Sequence, residues 1–477
     1  MKRQTLRVWL SAFSLCACVA LSESVPGEEL PAEGPQQTTG KRLFTESDPW
    51  IQTVSLKCTS GSLCVESGDS CGESACRYSG SHLGCCDALM TRARLTNGLF
   101  GLSPKLAEHG IMVDASYTNF SQGVTRGGAS RTFRNGSKTD LFLMADTGKL
   151  GLWEGGLIQV HAVDWQIGQN SINDAAGLAP VNTNLLTPTT APSYGLTTLL
   201  LMQQLGDGWV AAAGRYNSLD LWATLYPDFG RGIDGFMNVS TLIPLSSATS
   251  LPFVSNLGGV LKMGERGLES GFLVLEGQNS PTTAGLDFPN GVTLLGLTRK
   301  YSDFGGLPGS HTLLGTYATG DFTSFDTDGW EILPPGGVVP ATKTGTWMAA
   351  YLAEQRLWVD PCNEKRYAKM FGYVGFSDEE NTAFKMTTSI SIEAFGLSDS
   401  RPNDRMGVAY FYNALNTDFK NAFALVTPVG DLQGGEVYYN AQVTPWFNLT
   451  FDLQAVQPGV RSLDTAVVLG LRAHVRI

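Results

Sequence analysis

Polar and apolar side chains alternate along most of the chain after residue 110. A period of two is typical of β-strands, whose side chains point to opposite faces in turn. The alternating runs are about ten residues long, and they are separated by Gly, Pro, Asn and Asp, which favour turns. The chain is therefore predicted to be all-β from residue 111 to residue 477. The clearest runs are residues 111–117, 141–147, 157–165, 209–217, 384–395 and 405–412.

Residues 436–454 show this alternation most completely, and they read as two strands joined at Thr444-Pro445. A soluble β-sandwich alternates in the same way as a membrane barrel, so the pattern alone leaves both open. One face collects Val437, Tyr439, Ala441, Val443, Phe447, Leu449, Phe451 and Leu453. The other face collects Glu436, Tyr438, Asn440, Gln442, Asn448, Thr450, Asp452 and Gln454.

Three details favour a transmembrane antiparallel β-barrel. The apolar face stays nearly free of polar residues, as in the last strand from Val467 to Ile477. The polar face consists mainly of Thr, Ser, Asn, Gln and Tyr, whereas a solvated outer surface normally carries many more charges. The final strand also runs to the last residue. An apolar face toward lipid and a polar face toward a wet interior is the arrangement of a membrane-spanning barrel.

The composition agrees with many strands and turns, because the chain has 55 glycines, 10% aromatic residues and only 16% charged residues. The formal net charge of −11 argues against nucleic acid as a partner. After the N-terminal leader, the most apolar stretch runs from Leu196 to Met202, which is too short for a membrane helix. If the chain spans a membrane, it must do so as a closed barrel.

Residues 1–24 are predicted to be a secretory signal peptide. Lys2, Arg3 and Arg7 form a basic start, an apolar run extends from Val8 to Leu21, and a serine-rich step follows. A membrane anchor would need about 20 apolar residues, and lipidation at Cys18 is a minor alternative. Residues 25–57 are rich in Pro, Glu, Gln, Thr and Ser and are predicted to be a flexible linker.

Residues 58–86 are predicted to be a cysteine-rich segment held by three disulfides. An even number of cysteines in an exported chain most simply indicates such a framework, although the connectivity is not readable. A metal cluster is the alternative, but no Cys-x-x-Cys pair is present. Cys362 is expected to remain unpaired. The disulfide candidates are Cys58, Cys64, Cys71, Cys76, Cys85 and Cys86.

The remaining residues, 87–477, are predicted to form one barrel preceded by a short helix at residues 103–110. Ser103 is a suitable cap, Pro104 fits the first turn, and Gly110 ends the helix.

The C-terminal third resembles the carbohydrate-selective porins of the OprB type, a family of bacterial outer-membrane barrels. The matching motifs are YLAEQRLW at 351–358, FGLSDSRPNDRMG at 395–407, EVYY at 436–439, DLQAVQPG at 452–459, Asp464 and LGLR at 469–472. Earlier motifs are FGLSPKLAEHGI at 100–111, which is similar to the helix leading into the first strand of that family, KLGLWEGG at 149–156 and AGRYN at 213–217. The cysteine-rich segment lies outside the family pattern. Phe100, Ser103 and the final Ile477 also depart from it.

This resemblance implies a barrel of about sixteen strands in the outer membrane. It also implies passive diffusion of mono- and oligosaccharides through a water-filled channel, without a cofactor, metal or energy coupling. Outer-membrane lipid is the expected environment, and the protein is expected to be a homotrimer or a monomer.

Sugars carry hydroxyl groups at every edge, so a channel that favours them needs donors and acceptors spaced along its wall. Four of the expected pore-lining residues, Arg215, Glu393, Glu436 and Arg472, are predicted to form the narrowest zone, where opposed charges sort solutes. In the alternative, these charges only satisfy one another in the wall. Arg405 is also a candidate for holding the turn at residues 401–404. The pore-lining candidates are Arg215, Lys385, Glu393, Arg405, Glu436, Tyr438, Asn440, Gln442, Asp452, Gln454 and Arg472.

Enzyme functions find little support in the sequence. It contains no Gly-x-Ser-x-Gly, His-Glu-x-x-His or phosphate-loop motif, so no catalytic residue is assigned. Residues 326–331 contain three acidic side chains but lack the full spacing of a calcium loop, and they read as an acidic turn. The alternative function is a secreted, soluble, β-rich carbohydrate-active protein, either a glycoside hydrolase or a lectin.

Overall fold

The structure, a computed structural model, describes residues 89–166, 171–186, 194–277, 291–333, 337–424 and 426–477. The predicted signal peptide, the linker and the six disulfide candidates of residues 58–86 lie outside these ranges. Cys362 lies within them, in the turn between two strands, and it is disulfide-bonded. The expectation that it remains unpaired is therefore wrong. Every other cysteine of the sequence precedes residue 87.

Sixteen antiparallel strands of the described chain close into one barrel, in which each barrel strand pairs with the next barrel strand along the chain and the first pairs with the last. Closure leaves no open sheet edge, and it confirms the barrel predicted from the alternation. The barrel strands are β1 Ile111–Arg126, β2 Phe133–Asp146, β3 Gly156–Gln166, β4 Tyr194–Gly206, β5 Trp209–Asn217, β6 Val254–Gly264, β7 Gly267–Glu276, β8 Val292–Phe304, β9 Leu307–Thr323, β12 Thr342–Asp360, β13 Asn363–Ser377, β14 Phe384–Phe395, β15 Arg405–Leu415, β16 Leu432–Thr444, β17 Phe447–Val456 and β18 Ala466–Arg476. A separate small hairpin consists of β10 Glu331–Leu333 and β11 Gly337–Val339.

A short helix, α1 Asn97–Glu108, precedes the barrel and confirms the predicted helix near residue 103. The Thr96 hydroxyl accepts from the Leu99 backbone N–H, but residues 98–101 adopt left-handed backbone angles, so the regular helical turn lies in the second half. Gly110 has a φ of +85°, a conformation that favours glycine, and β1 begins directly after it.

The register of β16 and β17 shows which face of the predicted hairpin points outward. Glu436 lies opposite Gln454, and Val437 lies opposite Leu453. Val437 is 50% exposed, whereas Glu436 is 1% exposed. The apolar face therefore points out of the barrel and the polar face points in, as expected for a barrel with an apolar outer surface.

The two ends of the barrel differ in the length of their connections. One end has short turns, such as residues 207–208, 305–306 and 445–446. The other end has long connections, two of which contain helices that pack inside the barrel. The β3–β4 connection contains α2 Ile172–Ala176, and the β5–β6 connection contains α3 Ser218–Leu225 and α4 Val239–Leu242. A further helix, α5 Thr417–Ala424, lies between β15 and β16. None of the helices in the described ranges has the length and apolarity of a membrane span.

We call residues 218–253 the inserted segment. Its apolar side chains, including Leu221 and Trp222, belong to one core with the inward-facing residues of β4–β9, such as Leu200, Leu273 and Leu295. These strands are therefore apolar on both faces, which explains the continuous apolar stretch in β4. The polar inner face predicted from the hairpin holds for β14–β18, whereas most of the inner face of β4–β7 is apolar because the inserted segment covers it.

Candidate functional site

The inserted segment is held across the barrel interior by helix caps and by contacts on both of its sides. Asn217 accepts from the Leu219 backbone N–H at the start of α3. Asn238 accepts from the Ser240 backbone N–H at the start of α4. Asparagine is among the favoured residues for this role, because its side chain satisfies an N–H group that has no partner within the helix. The segment packs apolar side chains against the core of β4–β9, and many of its polar groups bond to β13–β18.

A charge cluster joins the segment to β13–β16. The Lys369 Nζ atom lies 2.9 Å from the Asp228 Oδ2 atom of the segment. On the wall, the Arg405 guanidinium donates to Glu393 Oε1 at 3.0 Å, and the Tyr438 hydroxyl donates to the same oxygen at 2.5 Å. Arg405 also donates to the Asp228 carbonyl oxygen at 2.6 Å. Removing one member of such a buried pair costs about 3–5 kcal/mol, so the cluster fixes the position of the segment.

The cationic side chains of the facing wall keep two aspartates of the inserted segment ionised. Burial alone raises the pKa of Asp228, but the nearby Lys369 ammonium and Arg405 guanidinium outweigh burial and lower the pKa below its ordinary value. Burial also raises the pKa of Asp234, and cationic side chains of the facing wall, including Arg476, reverse the shift and lower it. Both carboxylates are therefore negative at neutral pH.

A second set of contacts surrounds the start of α4. The Glu436 carboxylate accepts from the backbone N–H groups of Met237 at 2.5 Å and Asn238 at 3.1 Å. The Asn238 amide donates to Gln454 Oε1 at 2.9 Å, and the Gln454 amide donates to the Val181 carbonyl oxygen at 2.9 Å. Val181 belongs to the β3–β4 connection, so these contacts hold both inward-folded connections together.

Arg472 is fully buried behind the inserted segment. Its guanidinium donates to the carbonyl oxygens of Gly232 at 2.8 Å and Gly235 at 2.7 Å, and to the Thr450 hydroxyl at 3.2 Å. These carbonyl groups belong to the segment and the hydroxyl to β17. Arg472 is thus an anchor of the segment and is shielded from solvent in the interior.

The remaining predicted residues fall into two groups. Asn440, Asp452 and Gln442 lie on the inward side of the β16–β17 hairpin; the Asn440 amide donates to Thr450, and the Gln454 amide donates to Asp452. Lys385 is exposed at the long-loop end of β14, where it pairs with Glu379 at 3.3 Å. The structure does not bring Lys385 into the charge cluster.

Arg215 lies on the outward side of β5, which corrects the expectation that it joins Glu393 in the narrowest zone. The register places it opposite the exposed Leu199, and its Nε atom donates to the Leu196 carbonyl oxygen at 2.8 Å. The inward positions of β5 include Val210 and Ala212, which pack in the core shared with the inserted segment. Polar side chains therefore do not mark the inner face of this strand.

Arg405 does not hold the turn at residues 401–404, because Arg401 does so through a 2.8 Å ion pair with Asp404. Instead, Arg405 is one of several charged groups that keep partial access to the interior solvent. The other four, Asp228, Asp234, Glu354 and Arg476, were not among the pore-lining candidates. We call Asp228, Asp234, Glu354, Arg405 and Arg476 the charged rim. The side chains of Asp228 and Arg476 are each 32% exposed, and Arg476 lies 3.6 Å from Asp234.

The signal for the charged rim in the sequence was weak. Asp228 and Asp234 lie in the connection between β5 and β6, which has no strand period, and only its packing inside the barrel brings them to the wall. The half-buried Phe395 lies beside the rim, with its ring 4.9 Å from the Arg405 guanidinium and stacked on Tyr367 at 4.4 Å.

Comparisons with known proteins agree with this architecture. The model of the carbohydrate-selective porin, OprB family, matches residues 130–477. The high-pH structure of Pseudomonas putida OprB aligns with 17% identity and a TM-score of 0.69, covering 82% of this chain and 100% of that chain. The low-pH structure of the same protein aligns with 13% identity and a TM-score of 0.52, covering 81% of this chain and 99% of that chain. These structural likenesses concern the fold. None of the curated proteins matches.

The apolar band on the outside of the barrel is unsuited to a soluble secreted protein. Together with the family match over most of the chain, it excludes that alternative. The chain belongs to the OprB family of carbohydrate-selective porins, and it is a channel protein of the outer membrane.

Proposed function

We propose that the protein lets mono- and oligosaccharides diffuse passively across the outer membrane, and that the charged rim selects among them. The observation that carries this proposal is the inserted segment, which narrows the barrel interior and is fixed there by buried charges. A sixteen-stranded barrel without such a segment is wide enough for an aqueous channel, so the segment is what makes the passage selective.

The rim offers the chemistry that sugars need. The Asp228, Asp234 and Glu354 carboxylates accept from sugar hydroxyl groups, and the Arg405 and Arg476 guanidinium groups donate to them. The Phe395 ring offers an apolar surface for a sugar ring. A single hydrogen bond between a sugar and a partly solvated side chain is weak. Weak binding suits a channel, because a channel must release the solute that it conducts.

The predicted pore-lining residues have two different roles in this proposal. Arg405 and Gln442 keep partial access to the interior and are proposed to contact solutes. The buried candidates, including Glu393, Glu436 and Gln454, are proposed to set the width of the passage by holding the inserted segment. This role is close to the alternative interpretation, in which the charges satisfy one another in the wall.

Liposome swelling tests the sugar passage directly. Vesicles containing the protein should swell faster in glucose or a disaccharide than in a charged solute of similar size. Equal rates for the sugar and the charged solute would leave a channel but remove the carbohydrate preference. The absence of any swelling would refute the channel itself.

The role of the rim is tested by ion selectivity in planar bilayers. Asp234→Asn removes a negative charge from the passage and should shift the reversal potential toward anion preference, and Arg476→Gln should shift it toward cation preference. Arg266→Gln is a matched control, because Arg266 forms an exposed ion pair with Asp303 near the short turns. Unchanged selectivity in both rim variants would contradict the assignment.

The association state belongs to the same proposal. On the outward side of β1 and β2, the Asn119 and Asn135 amides exchange hydrogen bonds of 3.0 Å, and Asn135 donates to Ser121 at 2.8 Å. The β1–β18 register places Ser121 beside the exposed Leu471. Polar groups facing lipid are unfavourable, whereas amides pair well with copies of themselves.

We infer that copies of the chain associate through this patch, which favours an oligomer over the monomer. The mass of the detergent-solubilised protein should be a multiple of the chain mass, and the double variant Asn119→Leu with Asn135→Leu should lower it. A monomeric mass for the unaltered protein would refute this association.

A further inference from the structure

His161 bridges two buried aspartates inside the barrel, away from the charge cluster described above. The residue lies on the inward side of β3. Its Nε2 atom is 2.8 Å from Asp140 Oδ1 of the neighbouring strand β2, and its Nδ1 atom is 2.9 Å from Asp220 Oδ2. Asp220 belongs to the first turn of α3, the helix that begins the inserted segment. All three side chains are shielded from solvent.

The two contacts define the chemical state of the ring. Ionised carboxylates only accept hydrogen bonds, so a ring that bonds to carboxylates at both nitrogens carries a proton on each nitrogen. The imidazolium and the two aspartates together carry one negative charge. The Lys138 Nζ atom lies 2.9 Å from Asp140 Oδ1 and balances that charge.

We propose that His161 is the positioning residue that locks α3 to the barrel wall, because its imidazolium donates to a carboxylate on each side. This inference rests on the proposed function, in which the inserted segment sets the width of the passage. His161 is fully buried and does not touch the solute. Its effect on the channel is exerted through Asp220 and the helix that carries it.

The two bonds form a charged link between α3 and strands β2 and β3, and neighbouring side chains surround this link. The Thr198 hydroxyl of β4 donates to Asp220 Oδ2 at 2.8 Å, and the Phe142 ring of β2 stacks on the imidazole at 3.9 Å. Lys138 also donates to Asn184 of the β3–β4 connection at 3.4 Å. On the β18 side, the ionisable His474 bonds to the Thr118 hydroxyl at 2.9 Å.

Loss of one ring proton would place a nitrogen lone pair against a carboxylate oxygen in a buried site. That contact is repulsive, and the positive charge that links the two carboxylates is lost. Loss of the imidazolium charge therefore releases α3, and the passage becomes wider and less steady.

Single-channel recording at neutral pH tests the lock. The unaltered protein should show a steady conductance. His161→Gln and Asp220→Asn should show a larger, noisier conductance, because each removes one member of the charged bridge. His474→Gln is the matched control, since it removes another buried, inward-facing histidine, and it should keep the steady conductance of the unaltered protein.

Two folding-independent readouts keep the test decisive. Asp220→Asn changes the inserted segment and leaves the barrel strands intact, so a folding defect of His161→Gln does not hide the result. In protein labelled with ¹⁵N-histidine, the resonances lost in His161→Gln should report a ring protonated at both nitrogens at neutral pH.

A neutral-ring signal at neutral pH, or the conductance and noise of the unaltered protein in both variants, would overturn the lock. An unaltered protein that forms no channel at all would refute the proposed function instead, and the NMR signature would still decide the state of His161.

Discussion

Replacing Lys369 by methionine removes an ammonium group that contacts three carboxylates. Its Nζ atom lies 2.9 Å from Asp228, 2.9 Å from Glu354 and 3.7 Å from Glu393, and the side chain is 1% exposed. Methionine has a similar length and fills the space without the charge. The variant therefore isolates the electrostatic link between the barrel wall and the inserted segment.

The structure allows an estimate of the effect. Breaking a buried ion pair costs about 3–5 kcal/mol, and the lower end applies because Asp228 and Glu354 keep partial contact with water. Arg405 also continues to neutralise Glu393. A loss of about 3 kcal/mol corresponds to a roughly 100-fold rise in the fraction of molecules whose inserted segment has left the wall, at about 1.4 kcal/mol for each factor of ten.

Planar-bilayer recording and limited proteolysis measure this release. Lys369→Met should show frequent excursions to a higher conductance and faster cleavage within residues 218–253, while the barrel keeps its resistance to heat in detergent. Lys300→Met is the matched control, because Lys300 is an exposed residue on the outward face of β8. A second change, Glu354→Gln, should partly restore the steady conductance by removing one of the unpaired carboxylates.

The result that would refute this reasoning is specific. If Lys369→Met has the conductance, noise and protease resistance of the unaltered protein, the charge cluster does not hold the inserted segment. The apolar contacts with β4–β9 would then be sufficient on their own.

Three further predictions follow from the same contacts. The pKa of Asp228 is lowered from its ordinary value of 3.8, so the stabilisation that its carboxylate gives to the inserted segment is fully present above that value and is lost as the pH falls through the lowered pKa. The protease resistance of the segment should therefore decline only in strong acid, and Asp228→Asn should abolish that decline. Burial raises the pKa of Tyr226 to about 12, although its hydroxyl bonds to Thr312 at 2.9 Å. Tyr226→Phe should therefore cost about 1 kcal/mol of unfolding free energy and remove a component near pH 12 from an ultraviolet pH titration. The double variant Arg405→Met with Glu393→Gln should lose less unfolding free energy than Arg405→Met alone, because the single change leaves the buried Glu393 carboxylate without its main partner. Equal losses of unfolding free energy in calorimetry would contradict this coupling.

The sequence could predict the barrel and the direction of many side chains, because a period of two reports directly on a strand with two different environments. Val437 and Glu436 were assigned to opposite faces correctly on this basis. The number of strands came from the family resemblance, since the alternation is indistinct wherever both faces are apolar. The β4 strand, with its unbroken apolar stretch, shows this limit.

The candidate site was only partly predictable, since its geometry depends on a connection that has no period. Glu393, Glu436 and Arg472 were recognised as inward-facing, but Glu436 and Arg472 bond to backbone groups of residues 218–253. Glu393 is linked to that segment through its ion pair with Arg405. Arg215 was misplaced for the same reason. Once the inserted segment covers the inner wall with leucines, polarity no longer separates inside from outside in β5.

The two sides of the inserted segment contribute different properties to the channel. Its apolar side, with Trp222 and Leu221 packed on the wall, contributes most of the burial energy, but apolar packing tolerates small shifts when volume is conserved. Its polar side makes directional bonds, such as those from Arg472 to Gly232 and Gly235, which are satisfied in only one position. A passage that discriminates among sugars needs a constant width. The buried charges therefore serve precision more than stability, and this accounts for charged anchors in a site where apolar residues alone would keep the segment inside the barrel.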